Sequence, residues 1–237
     1  SHQSLRVLRR RRIRYEGRLH EEVRPNRSGA TLQVERTTLA TIGHWGYIQR
    51  IVDERGKTER NIRICEAAIA EGAGLRGVVD LARTLAAAGR MEEAMARFEE
   101  ARHADDGFVR RTALAHGAAA LVTLDRAAEA LSWVDALQDA SRFLGAVDVV
   151  RAEVLVALGR VDAFVAAYES ALAAAAGNAG VVPHDDGVGA AAERVRADLG
   201  LALLDAGRTR EGVAHLLEAA GEGAMRIWPK LVAASHE

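Results

Sequence analysis

Residues 75–106 read Leu75-Arg76-Gly77-Val78-Val79-Asp80-Leu81-Ala82-Arg83-Thr84-Leu85-Ala86-Ala87-Ala88-Gly89-Arg90-Met91-Glu92-Glu93-Ala94-Met95-Ala96-Arg97-Phe98-Glu99-Glu100-Ala101-Arg102-His103-Ala104-Asp105-Asp106. Apolar residues recur here at steps of three and four, the period of an amphipathic helix. Gly89 interrupts the run. A glycine at that point ends a helix in the left-handed conformation that other residues adopt only at a cost. Glu92 and Glu93 then favour the start of a second helix, whose N-terminal dipole is positive. Small Ala82, Ala94 and Ala101 stand where two helices must approach, and Val78, Leu81, Leu85 and Phe98 are large enough to fill the space between them. The stretch predicts a pair of helices joined by a tight turn.

The same grammar recurs downstream. Leu114, Ala118 and Leu121 precede Ala130, Val134 and Leu137, with Asp125 in place of the turn glycine, and Ala94 to Ala130 is 36 residues. A third unit has Ala152, Leu155, Gly159-Arg160, Phe164, Tyr168 and Ala171. There the bulky Phe164 takes the small second-helix position, which predicts looser packing. A last unit has Gly200, Leu203, Gly207-Arg208, Gly212, Leu216 and Ala219. Between these two units, residues 177–189 form a loop by composition and stretch the spacing from Phe164 to Gly212 to 48. A helix over 57–71 is expected to dock on the first full unit, and one around Met225–Ala234 to cover the end of the array, as such arrays require. The pattern closely resembles the tetratricopeptide unit of about 34 residues. The resemblance implies a mainly α fold, an α-solenoid over residues 57–237. Its concave groove, lined by the first helix of each pair, would hold a peptide or protein acceptor or a second copy of the chain. Arg83, His116, Arg151 and Arg194 are the scattered polar residues of those helices, and no clamp of Lys and Asn is visible. A spacer or dimerisation module therefore stands beside a peptide binder.

Composition agrees with a helical fold. The 237 residues are 49% hydrophobic and 27% charged, with a formal net charge of −1, a globular balance. Aromatics are only 4%, while alanine crowds the chain after residue 65. Alanine with Leu and Val lets helices pack closely and suits helices better than strands. No run of 18 apolar residues predicts a membrane span, and the N-terminus has no apolar stretch of signal-peptide type. The single cysteine, Cys65, excludes an internal disulfide and fits a reducing cytoplasm. Its helical spacing from Ile62 and Ile69 predicts a place in a core rather than a reactive thiol. Charge is uneven: residues 1–30 carry nine Arg against three Glu, leaving 23 basic and 30 acidic side chains in the rest. The run Arg9-Arg10-Arg11-Arg12 has no interleaved aromatics, so it reads as a solvated strand face or a patch facing phosphates rather than a nucleic-acid site. His184-Asp185-Asp186, between glycines, reads as a solvated turn rather than a metal site.

Residues 1–56 have a different period. Ile13, Tyr15, Gly17 and Leu19 alternate with Arg12, Arg14, Glu16 and Arg18, which predicts a half-buried strand. Residues 25–29 form a turn cluster, Leu32 and Val34 open a second extended stretch, and residues 37–42 lead into Gly43-His44-Trp45-Gly46-Tyr47. So few strands do not stand alone in water. They either pair with the helices or end a sheet whose other strands lie upstream. Ser1-His2 reads as a cloning remnant, which fits the second option.

Two short motifs and a link carry a second resemblance. The segment Tyr15-Glu16-Gly17-Arg18-Leu19-His20-Glu21-Glu22, then Ile42-Gly43-His44-Trp45-Gly46-Tyr47, then Gly56-Lys57 to Glu66 leading into repeats, resembles the end of a bacterial family 2 glycosyltransferase of GT-A type. The resemblance implies that residues 1–56 close an α/β domain transferring a hexosyl group from a nucleotide-sugar, with a divalent cation, Mn²⁺ or Mg²⁺, on the diphosphate. It makes Glu21 or Glu22 the base that deprotonates the acceptor. His20 would orient the nucleotide or support that base, and Arg14 or Arg18 would contact phosphate oxygens. His44 would hold the metal or the diphosphate. The Asp-x-Asp metal motif of such enzymes does not occur in the chain, so residues 1–237 alone are expected to bind neither cofactor and to be inactive. Beside this stands a non-enzymatic scaffold in which the strands merely cap the helices.

Overall fold

The computed structural model describes residues 13–16, 22–27, 56–178, 180–182 and 190–221. Their contacts form two groups, residues 1–100 and 101–237.

In the first group, strands β1 (Ile13–Glu16) and β2 (Glu22–Pro25) pair antiparallel, with Ile13 opposite Pro25 and Tyr15 opposite Val23. β1 lies where the alternation predicts it. β2 comes earlier than expected: Pro25 ends the strand instead of opening a turn, a position where its missing N–H removes no ladder bond. The bend follows at Asn26 and Arg27, and the extended stretch expected from Leu32 lies outside the described residues. The α/β sheet that the glycosyltransferase resemblance implies has no counterpart among the described residues, where sheet is confined to two-stranded ribbons. Three helices follow: α1 (Lys57–Ala70), α2 (Gly74–Ala87) and α3 (Met91–Ala101). α1 packs on α2, as the docking reading expects. Cys65 is 2% exposed, its Sγ 3.7 Å from Thr84 Oγ1, and burial pushes the thiol pKa up. It is a core residue, as its spacing predicts.

The second group holds α4 (Gly107–Thr123), α5 (Ala127–Ala140), α6 (Leu144–Ala157), α7 (Val161–Ala176), α8 (Ala192–Asp205) and α9 (Thr209–Gly221). α4 packs with α5, α6 with α7 and α8 with α9, so the expected pairs form. Asp106 caps α4, accepting hydrogen bonds from the N–H groups of Phe108 and Val109. Between α7 and α8 the inserted loop is tied at its base by the ribbon β3 (Val181–Val182) with β4 (Ala190–Ala191). Val182 is fully buried in the cluster with Ala171 and Leu199. His184, Asp185 and Asp186, and the terminal helix expected around 225–234, lie outside the described residues.

The turn inside each of the four helix pairs repeats one construction. The carbonyls of Leu85, Leu121, Leu155 and Leu203 accept from the N–H groups of Arg90, Arg126, Arg160 and Arg208. The carbonyls of Ala86, Val122, Val156 and Leu204 accept from Gly89, Asp125, Gly159 and Gly207. This pair of bonds is the Schellman motif, which satisfies carbonyls left open at a helix end. It needs a positive φ, found here at 76°, 58°, 65° and 77° in chain order. Asp125 is the non-glycine member, as the sequence comparison of the units indicates.

The third pair corrects an expectation. Phe164 is 1% exposed and meets the Tyr168 ring edge-on, with centroids 6.5 Å apart. Both lie in one buried cluster with Ala152, Leu155, Val195, Leu199 and Leu203. The aromatic bulk is absorbed by small Ala152 and by the neighbouring α8, so the packing is not loosened. Among the described residues, no helix is long and apolar enough to cross a membrane.

Candidate binding face on the first helices

Most charges at the turns are consumed internally. Arg90 grips both carboxylate oxygens of Glu93 at 2.6 Å, and Arg126 grips Glu129 at 2.8–3.0 Å. Arg208 does the same to Glu211, Nε lying 2.8 Å from Oε1. Each is a forked guanidinium–carboxylate pair across the first turn of a second helix. The bond from its arginine holds Glu93, and likewise Glu211, below the ordinary carboxylate range. The third pair has Ala163 in place of that glutamate, and Asp162 there accepts from Arg208 at 3.3 Å.

The basic residues expected to line the groove divide differently. Arg83 lies 4.0 Å from Asp80, which Arg76 approaches at 3.7 Å. Arg194 lies 3.7 Å from Asp198 and is 76% exposed. His116 is exposed on α4. Arg151 donates to Asp135 at 3.0 Å and Gln138 at 2.7 Å. Both partners are on α5, so Arg151 joins consecutive pairs. Arg196 similarly binds Glu218 on α9 at 2.6 Å.

A group on α6, α7 and α8 was not visible in the sequence pattern. α4 packs directly on α6, whereas α6 and α8 are joined through α7. Tyr168 of α7, 3% exposed, lies in the cluster between Ala152 of α6 and Val195 and Leu199 of α8. Glu153 follows Ala152, and Asp198 precedes Leu199. Burial, then Asp198, pushes the Glu153 carboxyl up, against the opposing pull of Arg194. Burial also raises Asp198, with Arg194 lowering it. Tyr168 is pushed far above the phenol range, first by burial and then by Glu153 and Asp198. Glu153 itself is exposed on α6. The signal that could have found this group is Glu153 itself, one acid in the otherwise apolar stretch from Ala152 to Leu158.

Of the residues implied in sugar transfer, Arg14 lies in β1 opposite Arg24, and Glu22 in β2 opposite Glu16. Arg18, His20, Glu21 and His44 lie outside the described residues. No three His, Cys, Asp or Glu side chains among the described residues are placed to hold a metal ion.

No protein-family model matches the chain, and no curated protein matches it. Solved structures do. A thermophilic tetratricopeptide-repeat protein of Thermus thermophilus superposes with a TM-score of 0.61 at 18% identity, over 78% of this chain and 94% of that one. Tetratricopeptide-like repeats of a Podospora anserina kinesin light chain give 0.55 at 19% identity, over 73% and 89%. MamA of Desulfovibrio magneticus RS-1, from its residue 41 onward, gives 0.52 at 14% identity, over 76% and 93%. At these identities the likeness is one of architecture: the chain is built as a tetratricopeptide-like helical repeat.

Proposed function

We propose that this protein is a tetratricopeptide-type interaction module that binds an extended peptide or a segment of a partner protein on its first helices. The observation that carries the reading is the division of charges. The turn inside each of the four helix pairs is closed by the same backbone bonds, and three of those four turns pair their own arginine and glutamate, while α6 and α8 carry Glu153 and Asp198, carboxyls that burial pushes up. Arrays of this architecture bury a continuous core between repeats and offer one face for extended ligands. A fold alone does not define a ligand, so the reading rests on that face. It is tested by titrating the ¹⁵N-labelled chain with unrelated extended peptides. Shifts confined to α4, α6 and α8 support it. Saturable binding that maps only to α5, α7 and α9 overturns it.

The motif resemblance of residues 1–56 adds a second expectation, a sugar-transfer site with Glu21 or Glu22 as base, His20 supporting it, Arg14 and Arg18 on phosphate and His44 on the cation. No feature of the described residues favours it over the interaction module. In the longest reading frame containing this chain, Mn²⁺-dependent nucleotide-sugar turnover abolished by Glu21→Gln and His44→Ala would support it.

A further inference from the structure

We propose that the open apolar face of α8 and α9 is a docking surface for this chain's own residues 222–237, which thereby exclude a second copy from it. That segment lies outside the described residues. The inference does not rest on the interaction-module reading.

The face is located by the register of the third and fourth pairs, whose matching positions lie 48 residues apart. In the third pair, half-buried Val149, Val156, Val165 and Leu172 pack against a cluster that holds Val195 and Leu199 of α8. That side of the third pair is therefore covered by the helix that follows it. The same positions of the fourth pair are Ala197 and Leu204 on α8, with Val213 and Ala220 on α9. They belong to a separate cluster whose described members all come from α8 and α9. Among the described residues no helix follows α9 to cover them.

This face is also more apolar than an internal junction. Leu201 stands where the third pair has Glu153, and Leu217 where it has Glu169, both exposed acids. Leu201 falls between Ala197 and Leu204 at helical spacing, and Leu217 between Val213 and Ala220, so each extends the strip. Leu217 is 54% exposed. Covering such a strip removes leucine surface from water, which is favourable in proportion to the area.

The sequence after α9 has the chemistry for this. Residues 222–237 hold Met225, Ile227, Trp228, Leu231 and Val232 within eight positions, and Glu222 and Glu237 balance Arg226 and Lys230. No net charge opposes docking. From Gly221 back to Val213 is eight residues of helix, about 12 Å. The seven residues from Glu222 to Trp228 reach up to about 23 Å when extended, so Trp228 can return along the whole strip. A short tether gives the segment an effective concentration of order millimolar, which a second copy at micromolar concentration does not match.

The test is limited trypsin digestion of the full chain, following cleavage after Arg226 and Lys230 by mass spectrometry. Leu217→Glu places a charge on the face, and Trp228→Ala removes the largest apolar side chain of the segment. Each should speed both cleavages about tenfold. Glu169→Ala, at the matching position of the third pair, should leave them unchanged. In sedimentation the unsubstituted chain should be a monomer, and Trp228→Ala, which uncovers the leucines, should dimerise unless Leu217→Glu is added. Thermal unfolding of each variant confirms that the fold persists. Cleavage as fast in the unsubstituted chain as in Leu217→Glu and Trp228→Ala would overturn the proposal. A dimer of the unsubstituted chain that Leu217→Glu dissociates, with cleavage unchanged, would give the face to a second copy and overturn it equally.

Discussion

The third and fourth helix pairs solve one packing problem in opposite ways. At the closest approach of the two helices, the third pair has Ala152 facing the position of Phe164, and the fourth has Gly200 with Gly212. In the fourth pair the backbones themselves meet: a Cβ added to Gly212 would lie 2.7 Å from the Gly200 carbonyl oxygen, and one added to Gly200 would lie 2.9 Å from that of Gly212. In the third pair an entire aromatic ring is buried instead. The repeat therefore constrains the sum of what fills the crossing and where the turn lies, not the identity of either residue. Close packing in protein interiors explains why either solution works only as a set.

Breaking the two solutions should give unequal effects. Phe164→Ala empties a fully buried site shared with Tyr168, Val195 and Leu199, and should cost about 3–5 kcal/mol in urea unfolding. Gly212→Ala forces backbone against backbone, and should cost about 1–3 kcal/mol, with the loss read in the same experiment. An equal or smaller loss for Phe164→Ala would mean that the third pair closes over the void, and the two crossings would then be equivalent. A turn substitution sharpens the comparison from the opposite direction. Asp125→Gly relieves a left-handed non-glycine residue while keeping the two bonds to Leu121 and Val122, and should raise stability by about 0.5–1 kcal/mol.

Much of the array was legible because its signals are local. Gly89, Gly159 and Gly207 mark turns by a conformational need that acts within six residues, and Asp125 could be recognised by its place in the period. The same spacing placed Cys65 in a core. What failed or was missed depends on partners distant in the chain. Phe164 looked like a disruption because its accommodation lies in α8, beyond an inserted loop. The partners of Arg151 on α5 are not legible either, because helical periodicity does not say which side of α6 meets α5. Pro25 signals a turn by its residue type, although a strand end tolerates proline equally. Tyr168, Glu153 and Asp198 come together only when three helices pack, so no window of sequence contains them.

The smallest effect distinguishes two glutamates of the same chain. Glu153 and Asp198 have carboxyls raised in the folded state, so folding takes up protons and their contribution is fully favourable only below the ordinary carboxylate pKa. That contribution is lost as pH rises through the raised values, with Tyr168 and Arg194 the groups facing them from α7 and α8. Glu153→Gln and Asp198→Asn should therefore leave thermal stability unchanged near pH 4 and raise the midpoint by about 2 °C near pH 7. Glu93 is the reverse: its carboxyl is lowered by Arg90, so its favourable contribution exists above the ordinary pKa and disappears on acidification. Glu93→Gln should lower the midpoint slightly at pH 7 and not at pH 4. Two substitutions of the same chemistry would then move stability in opposite directions at neutral pH, because one acid already has its cation and the other has a share in only one. If Glu153→Gln lowered the midpoint at neutral pH, the Glu153 carboxylate would be stabilising in the folded chain and the upward push of burial on it would be refuted.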